Sequence, residues 1–233
     1  IWEDALIQMV MVDRFVNGNT SNDGASSGSS FEADWQGGDL QGVTRMIESG
    51  YFENLGINAI WLSPLNTNPD GPFTARDGIH EVSGYHGYWP IEPRQVNPRF
   101  GGEIALDELV EAAHSRGIRI IADFTINHVH EDHIYFQNHP EWFNEGCLCG
   151  TSGCDWTERR LDCLFMTYMP DIDWSNTEAR DQMVSDALWW IERFDLDGLR
   201  IDAVKHVDSE AIYALSTAIN QRFENTGNDF YLK

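Results

Sequence analysis

The chain has no run of about 18 uninterrupted apolar residues, so the sequence excludes a membrane-spanning helix. Positive charge is scarce: 15 Lys and Arg stand against 38 Asp and Glu, a formal net charge of −23. Such a surface repels nucleic acid and anionic membranes and suits a neutral substrate or bound cations. The opening IWEDALIQMV lacks the basic flank and small-residue cleavage site of a secretory signal. A signal has therefore already been removed, or the sequence begins inside a longer chain. No G-x-G-x-x-G follows the first apolar run, which counts against a dinucleotide fold. Cysteine is rare too, four in all, but the four crowd into Cys147–Cys163 (CLCGTSGCDWTERRLDC). Their intervals do not repeat the paired ligand spacing of a structural zinc site, so two disulfides and an oxidising compartment are expected, with three connectivities open.

What the chain does have is apolar material in a regular order. Of 233 residues, 42% are hydrophobic, enough for one sizeable core. Ala5–Val12 reads as a strand, followed by the loop NGNTSNDGASSGSS. Asp39 is placed to cap a helix running to about Asn54, with Leu40, Val43, Ile47 and Tyr51 on one face. Gly56 ends it and Ile57–Leu62 is a buried strand, after which a long loop runs to Phe100. Leu106, Leu109, Val110 and Ala113 mark the next helix, Gly117 its stop, and Ile118–Phe124 the third strand. Residues 127–173 have little periodicity and are too long for an ordinary connection, so they are expected to form a small inserted domain. Asn176 or Thr177 then caps a helix with Val184, Leu188, Ile191 and Phe194 inward, before a strand at Leu196–Ile201, a helix at Ser209–Phe223 and a strand at Phe230–Leu232. Nearly all-apolar strands alternating with amphipathic helices imply a parallel sheet buried on both faces, which an α/β doubly wound sheet or a (β/α)8 barrel would satisfy. Polar residues gather beyond strand ends, at Asp13 and Arg14, Asn127 and His128, Arg200 and Asp202, which favours the barrel. Five strand candidates make it incomplete, divided as 1–126, 127–173 (inserted) and 174–233.

The chemistry gathers at Asp197–Val207 (DGLRIDAVKHV). Side chains alternate along a strand, so Arg200 and Asp202 share a face. A guanidinium there holds a carboxylate ionised and oriented, as a nucleophile attacking an anomeric carbon requires, although an Arg–Asp pair closing a barrel end would look the same. Four ordered motifs carry a wider resemblance: Tyr85–Trp89 (YHGYW), Asp123–His128 (DFTINH), Met169–Asp173 (MPDID) and Asp197–His206. Over nearly its whole length the chain resembles the α-amylase family of glycoside hydrolases. The resemblance implies that Asp202 is the nucleophile and Arg200 its orienting partner. It implies that His86 and His128 hydrogen-bond the sugar in the cleaving subsite, that Tyr88 is the platform beneath that sugar, and that Lys205 and His206 lie on the leaving-group side. Trp35 and Trp89, in loops near the mouth, are further stacking candidates, whereas Trp61, Trp189 and Trp190 read as packing.

Calcium is the implied cofactor, since hard cations take oxygen ligands. By resemblance, Asn127, Asp171 and the backbone carbonyl of His206 would hold one ion. Asn17, Asn19, Asn22 and Asp23, with Gly37 and Asp39, resemble a second calcium site of cyclodextrin glucanotransferases and some bacterial amylases. The implied activity is retaining hydrolysis of α-1,4-glucosidic bonds in starch, glycogen or malto-oligosaccharides. A transglycosylase of the same mechanism, or a non-catalytic glucan-binding relative, is the alternative. The family's acid/base Glu would follow Lys233, so residues 1–233 alone are expected to be inactive. Secretion, no nucleic-acid or membrane partner, and a monomer complete the expectation.

Overall fold

Apolar runs and amphipathic helices alternate into a five-stranded parallel sheet in the computed structural model, which describes residues 2–224 and 230–232. In chain order the strands are β1 Ile7–Val10, β2 Ala59–Leu62, β3 Phe73–Thr74, β4 Glu81–Val82, β5 Arg119–Thr125, β6 Phe143–Asn144, β7 Asp171–Ile172, β8 Gly198–Asp202 and β9 Tyr231–Leu232. The parallel sheet runs β1-β2-β5-β8-β9, and β3/β4 and β6/β7 are short antiparallel pairs. The sheet curls strongly. Trp2, just before one edge strand, has its ring 4.6 Å from that of Tyr231 in the other. On the concave side a hollow of about 610 Å³ is lined by Ile7, Met9, Trp61, Ile121, Arg200, Ile201, Val204 and Tyr231.

The helices are α1 Val12–Phe15, α2 Leu40–Glu48, α3 Tyr51–Asn54, α4 Gly102–His114, α5 Ile134–Asn138, α6 Thr177–Phe194 and α7 Ser209–Arg222. Each long helix begins where its sequence supplies a cap or a turn. Asp39 Oδ1 accepts from Gly42 N at 2.6 Å to start α2, and Asn176 Oδ1 accepts from Glu178 N and Ala179 N to start α6. The buried face of α4 is Leu106, Leu109, Val110 and Ala113, and that of α7 is Ala211, Leu215 and Ile219. Packed on the strands, each Leu, Val or Ile among these contributes about 1.5–3 kcal/mol by leaving water.

Several sequence expectations shift. The helix expected to continue to Asn54 breaks at Gly50, whose φ of +77° is left-handed and stops α2 before α3 resumes. The first strand shortens to Ile7–Val10 because Val12–Phe15 coils into a helical turn that carries Asp13 and Arg14. On α6 the deepest residues are Met183, Ala187, Trp190, Ile191 and Phe194, while Val184 and Leu188 are only partly buried, so the inward face is rotated from the expected one.

Residues 127–173 contain α5, β6, β7 and both disulfides, Cys147–Cys154 and Cys149–Cys163. One of the three open connectivities is thereby selected. A separate hollow of about 680 Å³ lies near His114, Arg119, Asp197 and Phe223, at the amino ends of β5 and β8 and away from the carboxyl-end polar residues. No helix among the described residues is long and apolar enough to cross a membrane.

Candidate active site

The register of the sheet builds the charged cluster. Asp123 in β5 is paired with Arg200 in β8, and Thr125 with Asp202. Arg200 and Asp202 are two residues apart on one strand, so they share a face, and Asp123 joins them from the neighbouring strand. A single nitrogen, Arg200 Nη1, donates to Asp202 Oδ1 at 2.6 Å and to Asp123 Oδ2 at 3.0 Å. The Arg200 guanidinium also lies over the Trp61 ring, 5.0 Å from its centroid. Asp202 is the last residue of β8, and Ala203 follows in a left-handed conformation (φ +53°) that turns the chain sharply out of the sheet.

Asp123 is the functional residue that sequence reasoning missed, having read it only as the first letter of a motif. Its carboxylate accepts from Tyr88 OH at 2.8 Å, Trp61 Nε1 at 3.1 Å and Arg200 Nη1. Burial pushes its pKa up to about 6, against the pull of Arg200 and Tyr88. The shared Nη1 bridges one oxygen of each carboxylate. Exposure separates their roles. The Asp123 side chain is 0% exposed and that of Asp202 is 22% exposed, so of the two only Asp202 is open to solvent. Trp61, expected as plain core, is half-buried and belongs to this cluster. Alternation puts Trp61 and Asp123 each on one face of its own strand, but only the sheet register shows that this is the face of Arg200.

The histidines form a wall beside the cluster. His86 Nδ1 accepts from Tyr88 N at 3.0 Å, so the proton of the neutral ring sits on Nε2. Burial, with His128 and Arg14 nearby, lowers the pKa of His86 to about 3. Gly87 between them has φ +87°, and a Cβ there would fall 2.2 Å from the Pro64 carbonyl oxygen, which accounts for glycine in YHGYW. His128 is 2% exposed, and Nε2 donates to the Tyr88 carbonyl at 3.0 Å. Its Nδ1 lies 3.4 Å from Asn127 Nδ2, so both ring nitrogens are engaged. The Tyr88 ring stacks at 5.8 Å on His86. His206 donates from Nδ1 to the Arg160 carbonyl at 3.1 Å, and Lys205 beside it is exposed on the turn after β8. Trp89 is buried against Phe73, His86 and Tyr168 and offers no free face for stacking, unlike the half-buried Trp35. Trp190 is core and donates to the Pro93 carbonyl, as packing requires.

Oxygen-rich sites lie to either side. Asp171 and Asn127 meet where β7 crosses the chain after β5: Ile172 N donates to the Asn127 carbonyl at 2.9 Å, and Asn144 Nδ2 to Asp171 Oδ2 at 2.8 Å. Asn127 Oδ1 is buried with no hydrogen-bond partner, and burial raises the pKa of Asp171 to about 8. The Asp162 and Asp173 charges push it in the same direction. An orphaned oxygen beside a carboxylate short of countercharge fits a hard cation. In the amino-terminal loop Asn17 Nδ2 donates to Asp23 Oδ1 at 2.8 Å, with Gly37 packed against both. Asp39 instead accepts from Gly18 N, Asn19 N and Gly42 N, which uses three of its four lone-pair positions. Asn19 Oδ1 caps Ser21, while Asn22 Oδ1 is buried without a partner. Among the described residues no group of three or more His, Cys, Asp or Glu side chains converges as a metal site.

Comparison with known proteins agrees with this geometry. The family model described as alpha amylase, catalytic domain, matches residues 9–146 and 149–229. An α-amylase of Niallia circulans is 30% identical over 225 residues, covering 87% of this chain and 42% of its own length. A cyclomaltodextrin glucanotransferase of Geobacillus stearothermophilus is 32% identical over 223 residues, covering 87% of this chain and 31% of its own length. A solved α-amylase of Anoxybacillus superposes on the whole chain with a TM-score of 0.82 at 30% identity, over 47% of that structure. The chain thus spans less than half the length of these relatives.

Proposed function

The chain belongs to the α-amylase family, and from that premise we propose that it supplies the nucleophilic half of a retaining glycosidase site acting on α-1,4-glucans such as starch, glycogen or malto-oligosaccharides. The observation that carries the reading is the half-exposed end of β8, where Arg200 Nη1 holds Asp202 Oδ1 at 2.6 Å. Hydrolases and transglycosylases of this family are both among the relatives, so the coarse activity is glycosyl transfer from an α-glucan to water or to a sugar.

In the proposed mechanism the free oxygen of Asp202 attacks the anomeric carbon of the bound sugar while the glycosidic oxygen leaves. A covalent glycosyl ester forms, and a second carboxylic acid protonates the leaving oxygen. That carboxylate then takes the proton of an incoming hydroxyl, whose oxygen bonds to the anomeric carbon as the ester bond breaks and frees Asp202. Arg200 orients Asp202 throughout, and Asp123 holds Arg200 and Tyr88 in place. Tyr88 lies under the sugar ring, and His86 donates from Nε2 to a sugar hydroxyl. His128 exchanges its Tyr88 carbonyl partner for a second hydroxyl, and Lys205 and His206 border the leaving-group side.

The five strands are read as the first part of a (β/α)8 barrel, residues 1–126 and 174–233, with 127–173 as an inserted domain. Asn127, Asp171 and the His206 carbonyl would hold a calcium ion that ties this insert to the barrel, with Asp162 near enough to add charge. Asn17, Asn22 and Asp23, with Asn19, Gly37 and the remaining position of Asp39, would hold a second. Calcium there would supply structural countercharge. Two disulfides support secretion.

The test is covalent trapping in the protein with a complete barrel. A fluorinated glucosyl fluoride needs no acid to expel its leaving group, so mass spectrometry should find the sugar on the peptide containing Asp202. Label on any other carboxylate would overturn the assignment.

A further inference from the structure

The wall on the Lys205–His206 side has a backing of its own. Cys149, Cys154 and Cys163 are buried and form a small core against which Cys147 and Phe165 pack. A second small core is Trp89, Tyr168 and Met169, and Phe165 packs against that as well. Among the described residues no other side chain is shared by the two. The Phe165 ring stands 5.3 Å from His128 and, edge-on, 4.8 Å from His206. Trp156, within the bridged segment, lies 5.6 Å from both Phe165 and His206. Arg76 covers the Trp156 ring at 4.9 Å and donates to the Cys149 carbonyl.

The hydrogen bonds of His206, unlike those of His128, leave its ring free to pivot. His128 is held at both ring nitrogens, by the Tyr88 carbonyl and by Asn127, whereas His206 is tied through Nδ1 to the Arg160 carbonyl. One bond to one ring atom fixes a point but not a plane. The plane of His206 is fixed by what packs on it, and Phe165 packs edge-on against that ring while resting on two disulfides that cross within 17 residues of chain. We propose that Phe165 is a positioning residue, held by the doubly bridged segment 147–163, that sets the acceptor side of the site and so the division of the glycosyl ester between water and a sugar acceptor. The inference rests on the reading of Asp202 as nucleophile.

The direction of the effect follows from the size of the two acceptors. Water reaches the anomeric carbon with little help from the wall, whereas a sugar hydroxyl must arrive in one orientation, and small misplacements are costly in such steps. The chemical step is the same for both: the acceptor oxygen bonds to the anomeric carbon, its proton passes to the carboxylate base, and the ester bond to Asp202 breaks.

The experiment measures hydrolysis and transfer together, using a malto-oligosaccharide donor with added maltose, in the complete-barrel protein and its Phe165→Ala, Phe165→Leu and Phe165→Tyr variants. The transfer-to-hydrolysis ratio should fall about tenfold in Phe165→Ala, fall less in Phe165→Leu, which also serves if the alanine variant does not fold, and return in Phe165→Tyr. An unchanged ratio, or equal loss of both reactions, overturns the proposal, because a purely structural role would lower the two alike. Trapping of the fluorinated sugar on Asp202 should persist in every variant. If it fails in the unmodified protein, the nucleophile assignment is what has failed.

Discussion

Replacing Asp123 by Asn is the sharpest probe of the cluster, because it keeps the shape and removes the charge. The Asp123 oxygens accept from Tyr88 OH, Trp61 Nε1 and Arg200 Nη1. An Asn can offer Tyr88, Trp61 and Arg200 its carbonyl oxygen at the Oδ2 position, but its amide nitrogen at the Oδ1 position then faces Arg200 Nη1, donor against donor. Hydrogen bonds to charged groups are worth about 1.5–3 kcal/mol. Arg200 is partly exposed and keeps Asp202, so water offsets some of the loss. About 1–2 kcal/mol of misorientation remains, a fall in kcat/KM of about 5- to 30-fold at 1.36 kcal/mol per decade.

The pH profile adds an independent check. With its pKa pushed up to about 6, Asp123 in the folded protein takes a proton that the unfolded chain, near its ordinary 3.8, releases. The stabilisation this gives is full below pH 3.8 and is lost as pH rises through 6. Below pH 6 the protonated acid resembles the Asn variant, so the acid limb of the unmodified enzyme should fall near 6 and disappear in Asp123→Asn. Activity within twofold of the parent, with the acid limb unmoved, would refute the positioning role. A loss beyond about 10⁴-fold that a glycosyl fluoride restores would refute it differently, by making Asp123 the acid that protonates the leaving group.

Two further perturbations reach the surroundings of the site. If Asn127 and Asp171 hold calcium, chelation should lower the thermal midpoint by about 5–10 °C relative to protein at 100 times Kd, where binding adds about 2.7 kcal/mol, and calcium but not sodium should restore it. Scanning calorimetry with and without chelator reads this directly, and identical midpoints would count against the site. Burial among Phe73, Trp89 and Tyr168 lowers the pKa of His130 to about 4, although Asp132 pulls it upward. Its folded pKa lies below the unfolded 6.5, so stability is full above pH 6.5 and falls as pH drops toward 4, by on the order of 3 kcal/mol. In His130→Phe the loss between pH 6.5 and 4, followed by urea unfolding, should shrink by that amount, and parallel curves for the two proteins would sink the idea.

How much of this was legible in the sequence depends on the range of the interaction that decides each feature. Local signals sufficed where one element decides. The caps at Asp39 and Asn176, the apolar strands, and the shared face of Arg200 and Asp202 all follow from residues a few positions apart. The helix broken at Gly50 shows the limit, because Tyr51 continues the apolar face that Leu40 begins and only the backbone conformation of one glycine interrupts it. The two disulfides were legible as a count but not as a pairing, since four cysteines in one loop satisfy three connectivities equally until the chain path is known. Asp123 stayed hidden for a different reason. Its role comes from the register that places it opposite Arg200 and from Tyr88, which reaches it across 35 residues of sequence. The same holds for Phe165, whose contacts with His128, His206 and the cysteine core span three separate parts of the chain. A motif points to a candidate nucleophile, whereas the residues that hold it in position are specified by pairings that only the folded chain brings together. That division explains why Asp202 could be read from DGLRID while the carboxylate sharing its arginine could not.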